Sequence, residues 1–219
     1  MVGKEKKTEK KTVNVAEKFK EMLEKSPKRK FVQSVDVALK FKDIDFKKPE
    51  NKIDLTVALP KGPGREQVVG IFAEGDKLVE AKKITGRVFG KDDINSLKNS
   101  KRKIRKIANE CAFFISQQDL MGLIGKTWGT ILGPRGKIPQ ILPPNAPIAP
   151  IFERLKKSIK ITSKKNTVVY AKIGNEKMPA DDLMANYNAL LEGIAEKADK
   201  KKIAAIYLKT TMGQPVRIQ

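Results

Sequence analysis

Two Pro/Gly-rich interruptions cut this chain into three stretches of different texture, and they constrain its fold more than any other feature. The first is Leu59-Pro60-Lys61-Gly62-Pro63-Gly64-Arg65-Glu66; the second, IPQILPPNAPIAP over residues 138–150, holds five prolines. Proline removes a backbone donor and fixes φ, so neither stretch is suited to a helix interior or a central strand. Before the first interruption, Val13, Ala16, Phe19, Met22 and Leu23 recur at helical spacing, and the helix is expected to stop before Ser26-Pro27. Val35, Val37, Leu39 and Phe41 then alternate as in a half-buried strand, as do Ile53, Leu55, Val57 and Leu59 after the turn signal Lys48-Pro49-Glu50-Asn51. The two read as an antiparallel pair.

Between the interruptions the pattern changes. Val68 to Ala73 is a short continuous apolar run, the signature of a strand buried on both faces. Helical segments follow near Leu78–Ile84, Asn95–Asn109 and Leu120–Ile131, interleaved with strands at Arg87–Phe89 and Cys111–Ile115. After the second interruption the first texture returns. A short helix is expected over Phe152–Lys157, strands over Ser158–Thr162, Asn166–Ile173 and Ile203–Lys209, and an amphipathic helix over Ala180–Lys197. One helix and two strands make a thin core for the amino-terminal piece, and the carboxy-terminal piece supplies what is missing. The expected architecture is therefore α+β with an α/β insertion: residues 1–66 and 152–219 form one discontinuous domain, and 67–151 an inserted domain.

The charge points to the partner. Lys and Arg number 46 against 25 Asp and Glu, a net charge of +21, with no histidine and one cysteine. Such an excess repels itself in the compact state, and a polyanion relieves it. No apolar run reaches membrane-spanning length and no strongly amphipathic basic helix with exposed aromatics is evident, so no membrane partner is expected. The first residues lack the apolar stretch of a secretory signal, which makes the cytoplasm the expected address. Without histidine, and with Cys111 alone in an apolar run, neither a metal site, a cofactor nor a catalytic residue is expected. Gly125-Lys126-Thr127 lacks the phosphate-loop glycine five residues before Gly125, where Leu120 stands. Asp92-Asp93 and Asp181-Asp182 precede helical patterns and read as caps.

Two basic clusters stand out. Lys98, Lys101, Arg102, Lys103, Arg105 and Lys106 crowd into nine residues with no acid. Lys28-Arg29-Lys30 abuts Phe31, a combination that serves phosphates and base stacking as well as it serves a solvated loop beside a core phenylalanine. The most specific local signal is Leu132-Gly133-Pro134-Arg135-Gly136-Lys137-Ile138-Pro139, in which Gly and Pro fix an irregular backbone.

At LGPRGKIP the chain resembles the large-subunit ribosomal protein L-one family. Lys30-Phe31-Val32-Gln33-Ser34-Val35-Asp36, Gly174-Asn175-Glu176-Lys177-Met178 and Thr210-Thr211-Met212-Gly213-Gln214-Pro215-Val216-Arg217-Ile218 extend the resemblance over nearly the whole chain, with an archaeal look to NSKRKIRKIA and GNEKM. The resemblance implies a split β-α-β-type domain that binds large-subunit ribosomal RNA and an inserted three-layer α/β domain. It implies a monomer when free and, in the ribosome, a mobile stalk near the tRNA exit site. It also implies an alternative role, repression of translation through the protein's own messenger RNA. By the same analogy Lys30, Phe31, Ser34, Lys165, Thr211, Met212 and Gly213 contact RNA, and Arg135 and Lys137 are candidates for tRNA or a second RNA segment. A glycine beside Met and Thr suits such a role, offering close backbone approach, a hydroxyl and an apolar pad for a sugar. Ala204, Ala205 and Tyr170 depart from polar or histidine positions in some relatives, which bears on the outer contacts. A phosphate-handling enzyme is the alternative from another class, weakened by the failed nucleotide motifs and the missing histidine.

Overall fold

The computed structural model of the chain describes residues 15–42, 46, 51–143, 146–163, 166–196 and 202–218. It is a mixed α/β protein with several sheets. The chain divides into two compact units, residues 1–57 with 160–219 (unit 1) and residues 58–159 (unit 2).

Unit 1 is built on β1 (Ser34–Phe41), which pairs antiparallel with β8 (Val168–Asn175) on one edge and β9 (Ile203–Thr210) on the other. A short β10 (Val216–Arg217) completes the order β10-β9-β1-β8. The alternation read from sequence is realised: Val35, Val37, Leu39 and Phe41 point inward and are buried. Two helices cover that face, α1 (Val15–Glu24) and α8 (Ala180–Ala195). Their seam is apolar and aromatic, with Phe19 of α1 edge-on to Tyr187 of α8 at 6.0 Å and Met22, Leu183, Leu190 and Ile194 buried. Burial pushes the Tyr187 phenol above its ordinary range. Asp181 and Asp182 lie in the first turn of α8, where carboxylates suit the helix dipole.

The expected pairing of the first two strands does not occur. Both edges of β1 are taken by strands more than 120 residues away, and β2 (Asp54–Ala58) pairs instead with β7 (Ser158–Thr162). That two-stranded ribbon carries the chain out of unit 1 and back, and reciprocal bonds close its unit 1 end: Ile53 N donates to Ser163 Oγ at 2.8 Å and Ser163 N to Ile53 O at 2.7 Å.

Unit 2 holds a parallel sheet in the order β4-β3-β5-β6: β3 (Val69–Phe72), β4 (Val88–Phe89), β5 (Phe113–Gln117) and β6 (Gln140–Leu142). All of β3 is buried, as a strand covered on both faces must be. Phe72 and Phe114 face one cluster with Trp128, which receives α3 (Lys91–Leu97), α4 (Lys101–Glu110), α5 (Gln118–Thr127) and α6 (Gly129–Leu132). Val69, Ile71 and Ile115 face a second cluster with α2 (Asp76–Ile84) and α7 (Ile148–Lys156).

Several expected boundaries move. Residues 95–109 are not one helix, because Asn99 and Ser100, poor helix formers, separate α3 from α4. The helix expected from Phe152 starts at Ile148: Pro147 flanks it and Pro150 falls in the first turn, where no intrahelical donor is needed. Its Phe152 and Leu155 are buried with Val69, Ile71 and Ala73, so α7 packs in unit 2. The compact units part at 57/58 and 159/160.

Truncating Phe19 to Ala should remove about 3–5 kcal/mol, the usual loss for a large buried aromatic. Amide exchange of the full chain checks it: protection should fall by that amount across β1 and α8 and remain unchanged in β3 and β5 of unit 2.

Candidate nucleic-acid interface

At the start of β1 the two ends of unit 1 are stitched together. Ser34 N donates to Thr211 Oγ1 at 3.0 Å, and Thr211 N returns a bond to Ser34 O at 3.1 Å. One residue back, Gln33 is wholly buried and its side chain joins three segments. Its Nε2 donates to Pro27 O at 2.7 Å and to Ser26 Oγ at 3.2 Å, while its Oε1 accepts Met212 N at 3.0 Å. Its own carbonyl accepts Glu176 N at 3.0 Å, which ties in the turn after β8. Ser26 Oγ also shares a 2.6 Å bond with Thr210 Oγ1 at the end of β9. Gly213 follows so closely that a methyl on its Cα would collide with the Thr210 hydroxyl and press on Ser26 Oγ at 3.3 Å; space demands glycine here.

Sequence-distant candidates are thereby brought into one region: Lys30, Phe31 and Ser34 from one end, Thr211, Met212 and Gly213 from the other. Phe31 and Met212 keep 51% and 54% of their surface exposed, which is unusual for large apolar side chains on a rigidly bonded frame. Lys28, Arg29 and Lys30 are exposed beside them, and Lys28 and Arg29 line a cleft of about 420 Å³ with Ser26, Pro27 and Glu176. Thr211 differs from its expected role in one respect, since its hydroxyl already accepts the Ser34 amide. Lys165 lies outside the described residues.

Gln33, Ser26 and Thr210 were not legible as site residues. The available signal was phase: Gln33 falls on the odd-numbered register of Val35, Val37 and Leu39, a polar residue at an inward position. On the opposite face of the sheet, Asp36 lies in register between Lys172 and Lys209. Burial lifts its carboxyl above the ordinary range while the two ammonium groups pull the other way. Tyr170, in register with Ala38, is exposed on that face.

The LGPRGKIP stretch in unit 2 is a clamp on α4. Lys137 Nζ donates to Ala108 O and Cys111 O, each at 2.7 Å, holding two carbonyls at the end of α4 that the helix leaves unpaired. Burial and the neighbouring Arg135 push the Lys137 ammonium below its ordinary range, partly opposed by Cys111. Arg135 Nη1 donates to Asn109 Oδ1. Gly136 (φ 66) turns the backbone between them in a conformation that favours glycine. Cys111 is a buried free thiol, as its apolar surroundings suggested. Gly125-Lys126-Thr127 lies inside α5, with Thr127 Oγ1 bonded to Leu123 O, and forms no phosphate loop. Asp93 Oδ2 accepts Gly90 N at 2.9 Å at the start of α3. Among the described residues no group of His, Cys, Asp or Glu could hold a metal ion, and no helix is long and apolar enough to cross a membrane.

Replacing Gln33 with Leu should leave the Met212 amide and the Pro27 carbonyl without their partner and lower unit 1 stability by about 2–4 kcal/mol. Amide exchange at Met212 should accelerate more than at residues of the β1–β8 ladder.

Comparison with known proteins places this architecture. The model of the ribosomal protein L1p/L10e family matches residues 22–214. A large ribosomal subunit protein uL1 from Methanothermococcus thermolithotrophicus is 38% identical over 208 residues, covering 94% of this chain and 98% of the relative. Counterparts from Methanocaldococcus jannaschii and Methanocella arvoryzae are 41% and 42% identical, covering 91% and 92% of this chain and 92% and 96% of their own. With the family match running from α1 to the segment after β9 and these relatives matching over more than nine-tenths of the chain, the chain belongs to the ribosomal protein L1p/L10e family.

Proposed function

We propose that this protein is a structural constituent of the large ribosomal subunit, in the cytoplasm, and that unit 1 is its discontinuous RNA-binding domain. The single observation that carries the site is the Gln33 network, which holds the 26–34 and 210–213 segments together and leaves Phe31 and Met212 outward among exposed cations. Lys28, Arg29 and Lys30 meet phosphates, Phe31 stacks on an unpaired base or a sugar, and Met212 with Gly213 gives an apolar surface approachable at close range. This mode reads shape, phosphates and 2′-hydroxyls rather than duplex base edges. The protein acts by binding, not as an enzyme.

Unit 2 is the inserted α/β domain, and the whole forms the mobile stalk beside the tRNA exit site. A messenger RNA that presents the same fold as the ribosomal segment would occupy the same surface, which is how repression of its own translation would arise. A phosphate-handling reaction has no support, since Gly125-Lys126-Thr127 lies within α5 and the Thr127 hydroxyl is bonded to Leu123 O. The bonds from the Lys137 ammonium to the Ala108 and Cys111 carbonyls support a structural role for Lys137 at the end of α4.

Crosslinking the full chain to total RNA and sequencing the fragments should recover one segment of large-subunit ribosomal RNA. Phe31→Ala should weaken binding to that segment by roughly 5- to 150-fold, the equivalent of about 1–3 kcal/mol for a lost stack. Met212→Asp should weaken it further, with the helical signal unchanged. Wild-type affinity in both variants, or fragments that do not map to large-subunit RNA, would refute the assignment.

A further inference from the structure

Helix α4 is electrostatically at odds with itself. Lys101, Arg102 and Lys103 occupy its first turn, where the helix dipole disfavours cations, and no acid is present there to offset them. Lys101–Arg105 and Arg102–Lys106 repel at i,i+4, as do Arg102–Arg105 and Lys103–Lys106 at i,i+3. None of these five, nor Lys98, forms an ion pair among the described residues, and all are exposed. The nearby carboxylates are engaged elsewhere: Glu110 pairs with Arg87 at 2.8 Å, and Asp93 accepts the Gly90 amide.

The helix is nevertheless fixed firmly. Ile104 and Ala108 are completely buried in the Trp128 cluster, and the Lys137 ammonium grips the carbonyls at its far end. Arg102, Arg105, Lys106 and Asn109 share one helical face, at i, i+3, i+4 and i+7. Asn109 Oδ1 accepts Arg135 Nη1, so the guanidinium of LGPRGKIP prolongs that basic face past the helix end. The sequence-level candidate Arg135 thus belongs with α4, whereas Lys137 serves behind it as support.

We propose that the outer face of α4, together with Arg135, is a second RNA-contact surface of this protein, taking the phosphate backbone of an RNA duplex. Its chemistry selects that occupant. A lipid surface needs apolar side chains on the cationic helix to enter it, and those of α4 face the core. A protein partner needs a buried aromatic or aliphatic anchor, and the exposed positions of α4 offer only charge and Asn109. A phosphate backbone is bound by charge alone through counterion release, and arginines one turn apart suit its oxygens in a bidentate manner. The contact is independent of base sequence and of the Gln33-centred surface in unit 1.

The test titrates the full-length protein against a fluorescently labelled 20-base-pair RNA duplex of arbitrary sequence between 50 and 200 mM salt. The variant R102A/R105A/K106A removes three charges from α4, and K82A/K83A/K126A removes three exposed charges from other helices of the same unit. The α4 variant should flatten the log–log salt slope by roughly 2–3 and weaken binding about tenfold or more, and the control should change the slope by less than about 1. Circular dichroism should show both variants as helical as the parent. Equal slopes for the two variants would reduce the effect to net charge and overturn the proposal. So would binding to phosphatidylcholine/phosphatidylserine vesicles that the α4 variant abolishes while its duplex slope stays at the parental value. The duplex carries no ribosomal sequence, so the outcome is separate from whether unit 1 recognises ribosomal RNA.

Discussion

Everything in unit 1 follows from the double pairing of β1. A strand near the amino terminus accepts β8 on one edge and β9 on the other, and this draws the last quarter of the chain back onto the first. Such contacts close very long loops, so their entropic cost is met only when the pairing is backed by a packed face. That backing is the row Val35, Val37, Leu39 and Phe41 against α1 and α8. Once the sheet is registered, Ser34 and Thr211 face one another and the Gln33 side chain reaches Ser26, Pro27 and Met212. The candidate RNA surface is therefore a product of long-range topology rather than of any local motif. A buried amide with all its bonds made is rigid, whereas one partly satisfied would be worse than an apolar core. Gln33 thus gives the exposed Phe31 and Met212 a fixed frame, which limits the ordering needed when they meet a ligand.

Much of this was legible in the chain because periodicity reports burial. Strand β1 and helix α8 each present one uniform face, and the fully apolar run at Val68–Ala73 announced a covered parallel strand. What failed was pairing. Val35–Phe41 and Ile53–Leu59 alternate equally well, but alternation says which face is buried and nothing about which neighbour lies alongside. The break between α3 and α4 was hidden because Leu97-Lys98 before Asn99-Ser100 and the Lys101–Lys106 run after it both keep helical propensity high. Proline misled at α7, where residues that end most helices begin this one. At the candidate site, the candidate contact residues came from resemblance, and the supporting Gln33, Ser26 and Thr210 were missed because hydrogen bonds between distant segments leave no local pattern.

The LGPRGKIP stretch divides its two cations between two sides. Its lysine faces inward onto the end of a helix, and its arginine faces the basic surface that the helix displays. Both readings draw on the same fact, a positive charge placed at the carboxy-terminal end of α4, where the dipole favours it. The excess charge of the chain is unevenly distributed: among the described residues none of the cations on α4 or at Lys28–Lys30 forms an ion pair, whereas Lys18 and Lys25 flank Glu21 and hold its carboxyl down to about 2.

The central claim is that two segments far apart in sequence form one RNA-contacting surface. Amide hydrogen exchange of the full-length protein, with and without its large-subunit ribosomal RNA segment, tests it most directly. The account predicts that RNA slows exchange in residues 28–34 and 211–214 together, at the same RNA concentration. Slowing in only one of those segments, or slowing confined to the LGPRGKIP stretch of unit 2, would contradict it.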